Sequence, residues 1–308
     1  MKINVANITF SKNLFLRNEL SSFFENITFN EESQRLDYDD LSNFCNNSDI
    51  LILGLEKFDE SLFKNNPNLK TIAKFGVGVD NIDFNLLQKF NITFLHDIGV
   101  NKLEVAEFAY CQIINLLRNI SYTGNLLRNG IWLKDGGISI QESTIGVIGV
   151  GNIGSCVVDK LVREGCKKII CYDIDSAKTE KFNKVDSVEV SSLDDLCSNS
   201  DLITLHIPGD SSNFEFLGNK ILNKMKQGVK ILNISRGSIV NIYDVINHLD
   251  NGNVHSYCTD VYPYEPFFDS RIVNNNRIIC TPHIAGNSNQ SVLKMGMSVI
   301  NNLVRTFK

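Results

Sequence analysis

Thr144-Ile145-Gly146-Val147-Ile148-Gly149-Val150-Gly151-Asn152-Ile153-Gly154 reads as a buried strand that runs into a glycine-rich turn and then a helix. Gly149, Gly151 and Gly154 stand in the G-x-G-x-x-G spacing. Each has a physical task. The first permits a tight turn, the second lets the backbone approach a pyrophosphate, and the third lets helix pack closely on strand. The N–H groups and positive dipole end of the helix after Asn152 then face the phosphates. Such glycines also occur in ordinary strand–helix turns, so the spacing needs a second signal. Asp173 provides it, nineteen positions after Gly154 and at the end of the apolar run Lys168-Ile169-Ile170-Cys171-Tyr172. A carboxylate there suits an adenosine ribose. No arginine follows it closely to receive a 2′-phosphate, and the acid would repel one, so the reading favours NAD over NADP.

Length and composition bound the rest. The 308 residues allow two domains of ordinary size. Hydrophobic residues at 43% and charged ones at 21% suit a globular enzyme. A net charge of −5 and a pI near 5.6 argue against nucleic acid or an anionic membrane as the main partner. No apolar run approaches the ~20 residues of a membrane span. The opening Met1-Lys2-Ile3-Asn4-Val5 predicts a strand rather than a secretory signal, and a cytoplasmic protein is expected. Eight cysteines (Cys45, Cys111, Cys156, Cys166, Cys171, Cys197, Cys258 and Cys280) show no C-x-x-C pair. Their mostly apolar surroundings predict reduced, buried thiols and no metal. N-x-[ST] triplets such as those at Asn26 and Asn91 are chance matches in an asparagine-rich chain.

Strands alternate with helices along the chain, which predicts doubly wound α/β architecture. In the first third, strands fit near 2–6, 26–30, 49–54, 70–75 and 91–95, with helices at 13–24 and 83–90. A longer helix is predicted from Lys102 to about Arg118, with Leu103, Ala106, Ala109, Ile113, Leu116 and Leu117 at three- and four-residue spacing. Further strands fit near 144–149, 168–173, 201–206, 229–234, 254–258 and 277–281, before a last helix from Asn287 to about Phe307. The predicted fold is two doubly wound parallel-sheet domains. A Rossmann dinucleotide-binding domain at 99–285 is inserted in a flavodoxin-like substrate domain at 1–98 and 286–308.

Three stretches of the second half carry chemistry. Lys230-Ile231-Leu232-Asn233-Ile234-Ser235-Arg236-Gly237-Ser238 is a strand whose carboxyl end presents an arginine, at the sheet edge where ligands bind. The planar fork of Arg236 suits a carboxylate, although a surface arginine in a loop would look the same. Asp260-Val261-Tyr262-Pro263-Tyr264-Glu265-Pro266 stiffens a loop with two prolines around Glu265; alone, that carboxylate reads as an ordinary solvated group. Cys280-Thr281-Pro282-His283-Ile284-Ala285-Gly286 places a histidine after an apolar strand, where a helix cap is the bland reading. If Glu265 accepts a hydrogen bond from one ring nitrogen of His283, it fixes the tautomer and leaves proton transfer to the other.

Taken in order, these stretches resemble the D-isomer-specific 2-hydroxyacid dehydrogenase family. The resemblance extends to Ala73-Lys74-Phe75-Gly76-Val77-Gly78-Val79-Asp80-Asn81-Ile82-Asp83, similar to the family's substrate-domain glycine loop. It includes Asn101 with Val105-Ala106-Glu107, and spans roughly residues 49 to 290. It implies that His283 is the catalytic acid/base, that Glu265 is its partner, and that Arg236 binds the substrate carboxylate and polarises the carbonyl. Backbone N–H groups of Val77 and Gly78 would also bind the carboxylate. The cofactor would meet Gly149, Gly151, Asn152, Ile153, Gly154, Asp173, His206, Pro208, Ser235 and Asp260. Glu265 stands where the related formate dehydrogenases carry glutamine, which argues against formate.

The implied activity is NAD-dependent interconversion of a D-2-hydroxy acid and its 2-oxo acid. Phosphoglycerate/phosphohydroxypyruvate and glyoxylate/hydroxypyruvate are the substrate pairs. Lys74 beside the glycine loop would help an anionic substrate, although a lysine ending a strand is ordinarily solvated. The family also includes corepressors, so an NAD(H)-gated interaction protein is the alternative. Gly209-Asp210-Ser211-Ser212-Asn213, after Leu205-His206-Ile207-Pro208, departs from the family's leucine- and threonine-containing turn. No added regulatory domain of the kind found in some phosphoglycerate dehydrogenases is expected. A homodimer is expected through the helical region beginning near Asn101, with Phe108, Ile113, Leu117, Ile120 and Trp132 as apolar contacts.

Overall fold

Short β-branched and leucine-rich runs become central strands buried on both faces, as parallel sheets require. The computed structural model describes residues 1–32 and 35–308, which form two units, Met1–Asn101 with Asn287–Lys308, and Lys102–Gly286.

In the first unit the strands are β1 (Ile3–Val5), β2 (Ile27–Phe29), β3 (Ile50–Leu53), β4 (Thr71–Lys74) and β5 (Thr93–Leu95). They pair in parallel in the order β2-β1-β3-β4-β5, the flavodoxin-like arrangement. All five fall within the stretches read as strands. Helices Leu14–Phe23 and Asn289–Phe307 cover one face, burying Leu16, Leu20, Val299, Ile300 and Leu303 with Ile3, Val5 and Ile52. Phe84–Lys89 begins at the Asp83 cap, whose carboxylate accepts from the Asn85 and Leu86 amides.

In the second unit the strands are β6 (Thr144–Ile148), β7 (Lys168–Tyr172), β8 (Val188–Val190), β9 (Leu202–Leu205), β10 (Val229–Asn233), β11 (Val254–Thr259) and β12 (Ile278–Cys280). Their order is β12-β11-β10-β9-β6-β7-β8, all parallel. The strand order reverses between β6 and β9, and the crevice at their carboxyl ends is where such sheets bind ligands. Alternate residues feed two cores, Val147, Ile169, Leu202 and Leu232 on one face and Ile148, Ile170, Ile203 and Ile231 on the other. Each such fully buried side chain stabilises by about 1.5–3 kcal/mol.

Among the elements that the sequence reading left out, two show why. Strand β8 is a short edge strand with two exposed residues of three, too brief to alternate legibly. Helix Ile120–Arg128 starts at Asn119 in the left-handed conformation, φ 54°, without a side-chain cap. In the long helix Lys102–Leu117 the buried stripe is Val105, Ala106, Ala109, Ile113, Leu116 and Leu117, while Leu103 is 54% exposed because it lies off that stripe in the first turn. Ile113 and Leu117 are fully buried in the unit's own core, which removes them from the expected dimer contact. Ile120 and Trp132 remain exposed.

Candidate active site

The turn after β6 divides its glycines by task. Gly149 has φ +88°, open to glycine and strained for any L side chain. A Cβ on Gly154 would lie 1.9 Å from the Gly149 carbonyl oxygen, so only a bare α-carbon lets helix Asn152–Arg163 come this close. A Cβ on Gly151 would meet nothing within 4 Å. Gly151 also caps the helix with no side-chain hydrogen bond, leaving main-chain donors of the first turn, Asn152 and Ile153 among them, for an anion. Steric demand therefore explains Gly149 and Gly154, and open room at a helix start explains Gly151. That combination fits the pyrophosphate of a dinucleotide.

Asp173, at the end of β7, is held in place rather than solvated. Its Oδ2 accepts from the Val150 amide at 2.9 Å and its Oδ1 from the Asp175 amide at 2.9 Å, with Lys178 Nζ 3.5 Å away. The acid thus also braces the glycine turn. After β9, the His206 carbonyl oxygen packs over Gly149, 2.6 Å from where a Cβ would stand. The His206 ring hydrogen-bonds Thr204 Oγ1 through Nε2 at 2.9 Å, and burial pushes its imidazole down to about 3, so it is neutral near pH 7. Pro208 is exposed, and its carbonyl accepts from Asn213 Nδ2 at 3.1 Å.

Three loops after β10, β11 and β12 carry the remaining residues. Asn233, fully buried at the end of β10, accepts from both the amide and the hydroxyl of Ser235 at 3.0 Å. It donates from Nδ2 to the Arg236 carbonyl at 2.8 Å. Arg236 Nη1 donates to the Ser235 carbonyl at 2.7 Å. A Cβ on the next residue, Gly237, would fall 2.0 Å from the Tyr262 carbonyl carbon, so the arginine loop lies directly against the loop of Glu265. Tyr262 ties that loop in turn to the histidine loop, donating its hydroxyl to the Thr281 carbonyl at 2.9 Å.

His283 Nδ1 lies 2.8 Å from Glu265 Oε2 and 3.0 Å from Oε1. A carboxylate only accepts, so Nδ1 carries the proton that it donates to Glu265. The backbone of His283 is left-handed, φ 54°, a conformation costing a non-glycine residue about 1–2 kcal/mol. Asp260 holds it there. Oδ1 accepts from Thr281 Oγ1 at 2.7 Å and the Ile284 amide at 2.8 Å, and Oδ2 accepts from the Ala285 amide at 2.8 Å. Burial raises the Asp260 carboxyl above its ordinary pKa, and these three donors oppose the rise.

Asp260, expected at the cofactor, has a buried side chain bonded to the loop that presents His283. Asn233 was visible only as a polar residue beside chemically louder neighbours, and Asp260 only through the family resemblance. Nothing in their spacing shows which loop they hold.

In the first unit, Val77 and Gly78 follow β4 in a loop opened by Gly76, φ +109°. The Val77 carbonyl pairs with His96 Nε2 at 3.0 Å, and burial lowers the His96 pKa. Lys74 is buried rather than solvated, and its ammonium donates to the Gly54 carbonyl. Among the described residues no cluster of His, Cys, Asp or Glu would hold a metal ion, and no helix is long and apolar enough to cross a membrane.

A seven-stranded parallel sheet, its glycine turn at the switch point and an acid ending the neighbouring strand define an α/β dinucleotide-binding protein. The chain belongs to the D-isomer-specific 2-hydroxyacid dehydrogenases: the family model described as "D-isomer specific 2-hydroxyacid dehydrogenase, NAD binding domain" matches residues 110–285. NAD is accordingly its cofactor. It is 30% identical over 279 residues to a hydroxypyruvate reductase of Thermotoga maritima, covering 89% of each chain. It is 30% identical over 266 residues to a D-3-phosphoglycerate dehydrogenase of Archaeoglobus fulgidus, covering 84% of this chain and 49% of that one. The chain thus spans about half the length of the curated phosphoglycerate dehydrogenases of Bacillus subtilis and A. fulgidus that it matches. In fold it is similar to the D-lactate dehydrogenase of Aquifex aeolicus solved with NAD and lactic acid (TM-score 0.81, 22% identity, covering 100% and 95% of the two chains).

Proposed function

We propose that this protein is an NAD-dependent D-2-hydroxyacid dehydrogenase acting on a small 2-oxo acid. The observation that carries the reading is the His283–Glu265 pair, 2.8 Å apart on loops locked to the loop of Arg236.

NAD, when bound, supplies the hydride in one direction and accepts it in the other. The main-chain donors around Gly151 would hold its pyrophosphate and Asp173 its ribose, with His206, Pro208, Ser235 and Asp260 as the other proposed contacts. His283 gives a proton through Nε2 to the developing alkoxide, and Glu265 stabilises the imidazolium that precedes transfer. Arg236 binds the carboxylate through its fork and places positive charge near the carbonyl. Val77 and Gly78, in the first unit, are proposed as main-chain donors to a substrate anion.

The proposed substrate is phosphohydroxypyruvate on one side and glyoxylate or hydroxypyruvate on the other, a choice supported by relatives named as a phosphoglycerate dehydrogenase and a hydroxypyruvate reductase. NADH consumption across these three acids, with His283→Ala as control, tests the reading. Turnover of one acid, lost in the variant, is the expected result. Silence across the panel, or unchanged turnover in His283→Ala, would overturn it. A cytoplasmic homodimer completes the proposal, supported by the exposed Ile120, Leu127, Ile131 and Trp132 within one short segment. A monomer by light scattering at micromolar concentration would remove the dimer.

A further inference from the structure

The turn after β9, where the sequence departs from the family pattern, touches Arg236. A Cβ built on Gly209 would stand 2.5 Å from Arg236 Cγ, 2.7 Å from Arg236 Cβ and 3.1 Å from Ser238 Oγ. Contacts under 3.0 Å force something to move. The backbone of Gly209 is not left-handed, so conformation does not demand glycine there. The arginine does.

Arg236 has little room to retreat. The colliding atoms are the first two of its side chain, which move only with the main chain or with a change of rotamer. That main chain is held by Asn233, which donates to the Arg236 carbonyl at 2.8 Å and accepts from the Ser235 amide at 3.0 Å. On the other side, Gly237 lies against the Tyr262 carbonyl with no space even for a methyl group.

We propose that Gly209 is a positioning residue: its bare α-carbon is the surface on which the stem of Arg236 lies, and so sets the direction of the guanidinium toward the substrate carboxylate. The inference rests on the reading of Arg236 given above. It makes Gly209 a determinant of oxo-acid binding, through a contact with the stem of Arg236 rather than with the proton-transfer pair.

The test compares Gly209→Ala, Arg236→Ala, Arg236→Gly and the double variant Gly209→Ala with Arg236→Gly. Three quantities are measured: kcat and KM for the oxo acid that the unaltered enzyme reduces, calorimetric binding of oxalate to the NADH complex, and NADH affinity by fluorescence. A bidentate arginine displaced from its line loses about tenfold or more in carboxylate binding. Gly209→Ala is therefore expected to raise both the oxo-acid KM and the oxalate Kd by about that factor, with NADH affinity within about twofold. In an Arg236→Gly background, where both colliding atoms are gone, the added methyl group changes neither further.

If Gly209→Ala leaves KM, kcat and oxalate binding unchanged while Arg236→Ala abolishes them, the positioning role is wrong and the reading of Arg236 stands. If Arg236→Ala itself leaves oxalate binding and turnover intact, that reading fails and takes this inference with it. Should Gly209→Ala fail to fold, Gly209→Ala/Arg236→Gly removes the stem. Recovery of a cooperative melt and NADH binding supports the contact, and no recovery overturns it.

Discussion

The Ala285 amide donates to Asp260 Oδ2 at 2.8 Å, two residues beyond a histidine whose backbone is left-handed. The buried carboxylate of one loop thereby holds the backbone geometry of another. Asp260→Asn keeps one accepting oxygen and puts an NH2 where an amide must donate. Unfolding in urea should show a loss of about 1–3 kcal/mol. Turnover should fall at least tenfold, as a rough expectation for a misplaced proton donor, with NADH affinity nearly unchanged. Equal kcat in the variant would show that His283 keeps its place without the anchor.

Glu265→Gln retains the shape of the partner and removes its charge. An amide oxygen still accepts from His283 Nδ1 but stabilises the imidazolium less. Reductive kcat should drop about 10²-fold while KM for the oxo acid changes little. A drop confined to KM would assign Glu265 to substrate binding instead.

Asp173 braces the Val150 amide as well as facing the expected ribose site. Asp173→Ser should weaken NADH binding and narrow the gap between NADH and NADPH. Titration of both cofactors by fluorescence checks this. Unchanged discrimination would leave Asp173 as a brace alone.

Lys230, on β10, is buried and donates to the Leu116 carbonyl at 2.7 Å, closing the end of helix Lys102–Leu117. Burial pushes its ammonium from 10.5 down to about 8, against the opposing pull of Asp135. Because the folded pKa lies below the unfolded one, the unfolded chain binds more protons between pH 8 and 10.5, and this residue makes stability rise with pH across that window. The unfolding free energy of the unaltered protein minus that of Lys230→Met should therefore increase by about 1–3 kcal/mol from pH 8 to 10.5. A flat or falling difference would refute the depressed lysine.

Thiol accessibility separates the cysteines. Cys45, Cys166, Cys171, Cys197 and Cys258 are buried, Cys156 and Cys280 are partly so, and Cys111 is exposed. Burial pushes the Cys45 and Cys171 thiols up to about 12 and Cys197 to about 11. A disulfide reagent should find one fast thiol in the native protein, lost in Cys111→Ser, and all eight cysteines after denaturation. Several fast thiols in the native state would contradict this packing.

The strands were legible where apolar runs were long enough to show themselves, as at Ile145–Ile148 and Ile231–Leu232, and the glycine turn carried its own steric logic. The edge strand β8 and the helix after Asn119 were not legible, since neither buries a repeating face. Lys74 read as a solvated charge and is instead buried against a backbone carbonyl, as Lys230 is also.

What the sequence determined by itself was local: strand periodicity, the tight turn at Gly149, the residue types able to move a proton or bind a carboxylate. Those properties belong to near neighbours along the chain. Which side chains anchor which loops was decided only in three dimensions. Asp260 and Ala285, Asn233 and Arg236, and Gly209 and Arg236 are brought together by parallel strands whose carboxyl ends share one edge. Contact across that edge follows from sheet order, and sheet order is settled by burying both faces at once, a condition no single segment expresses.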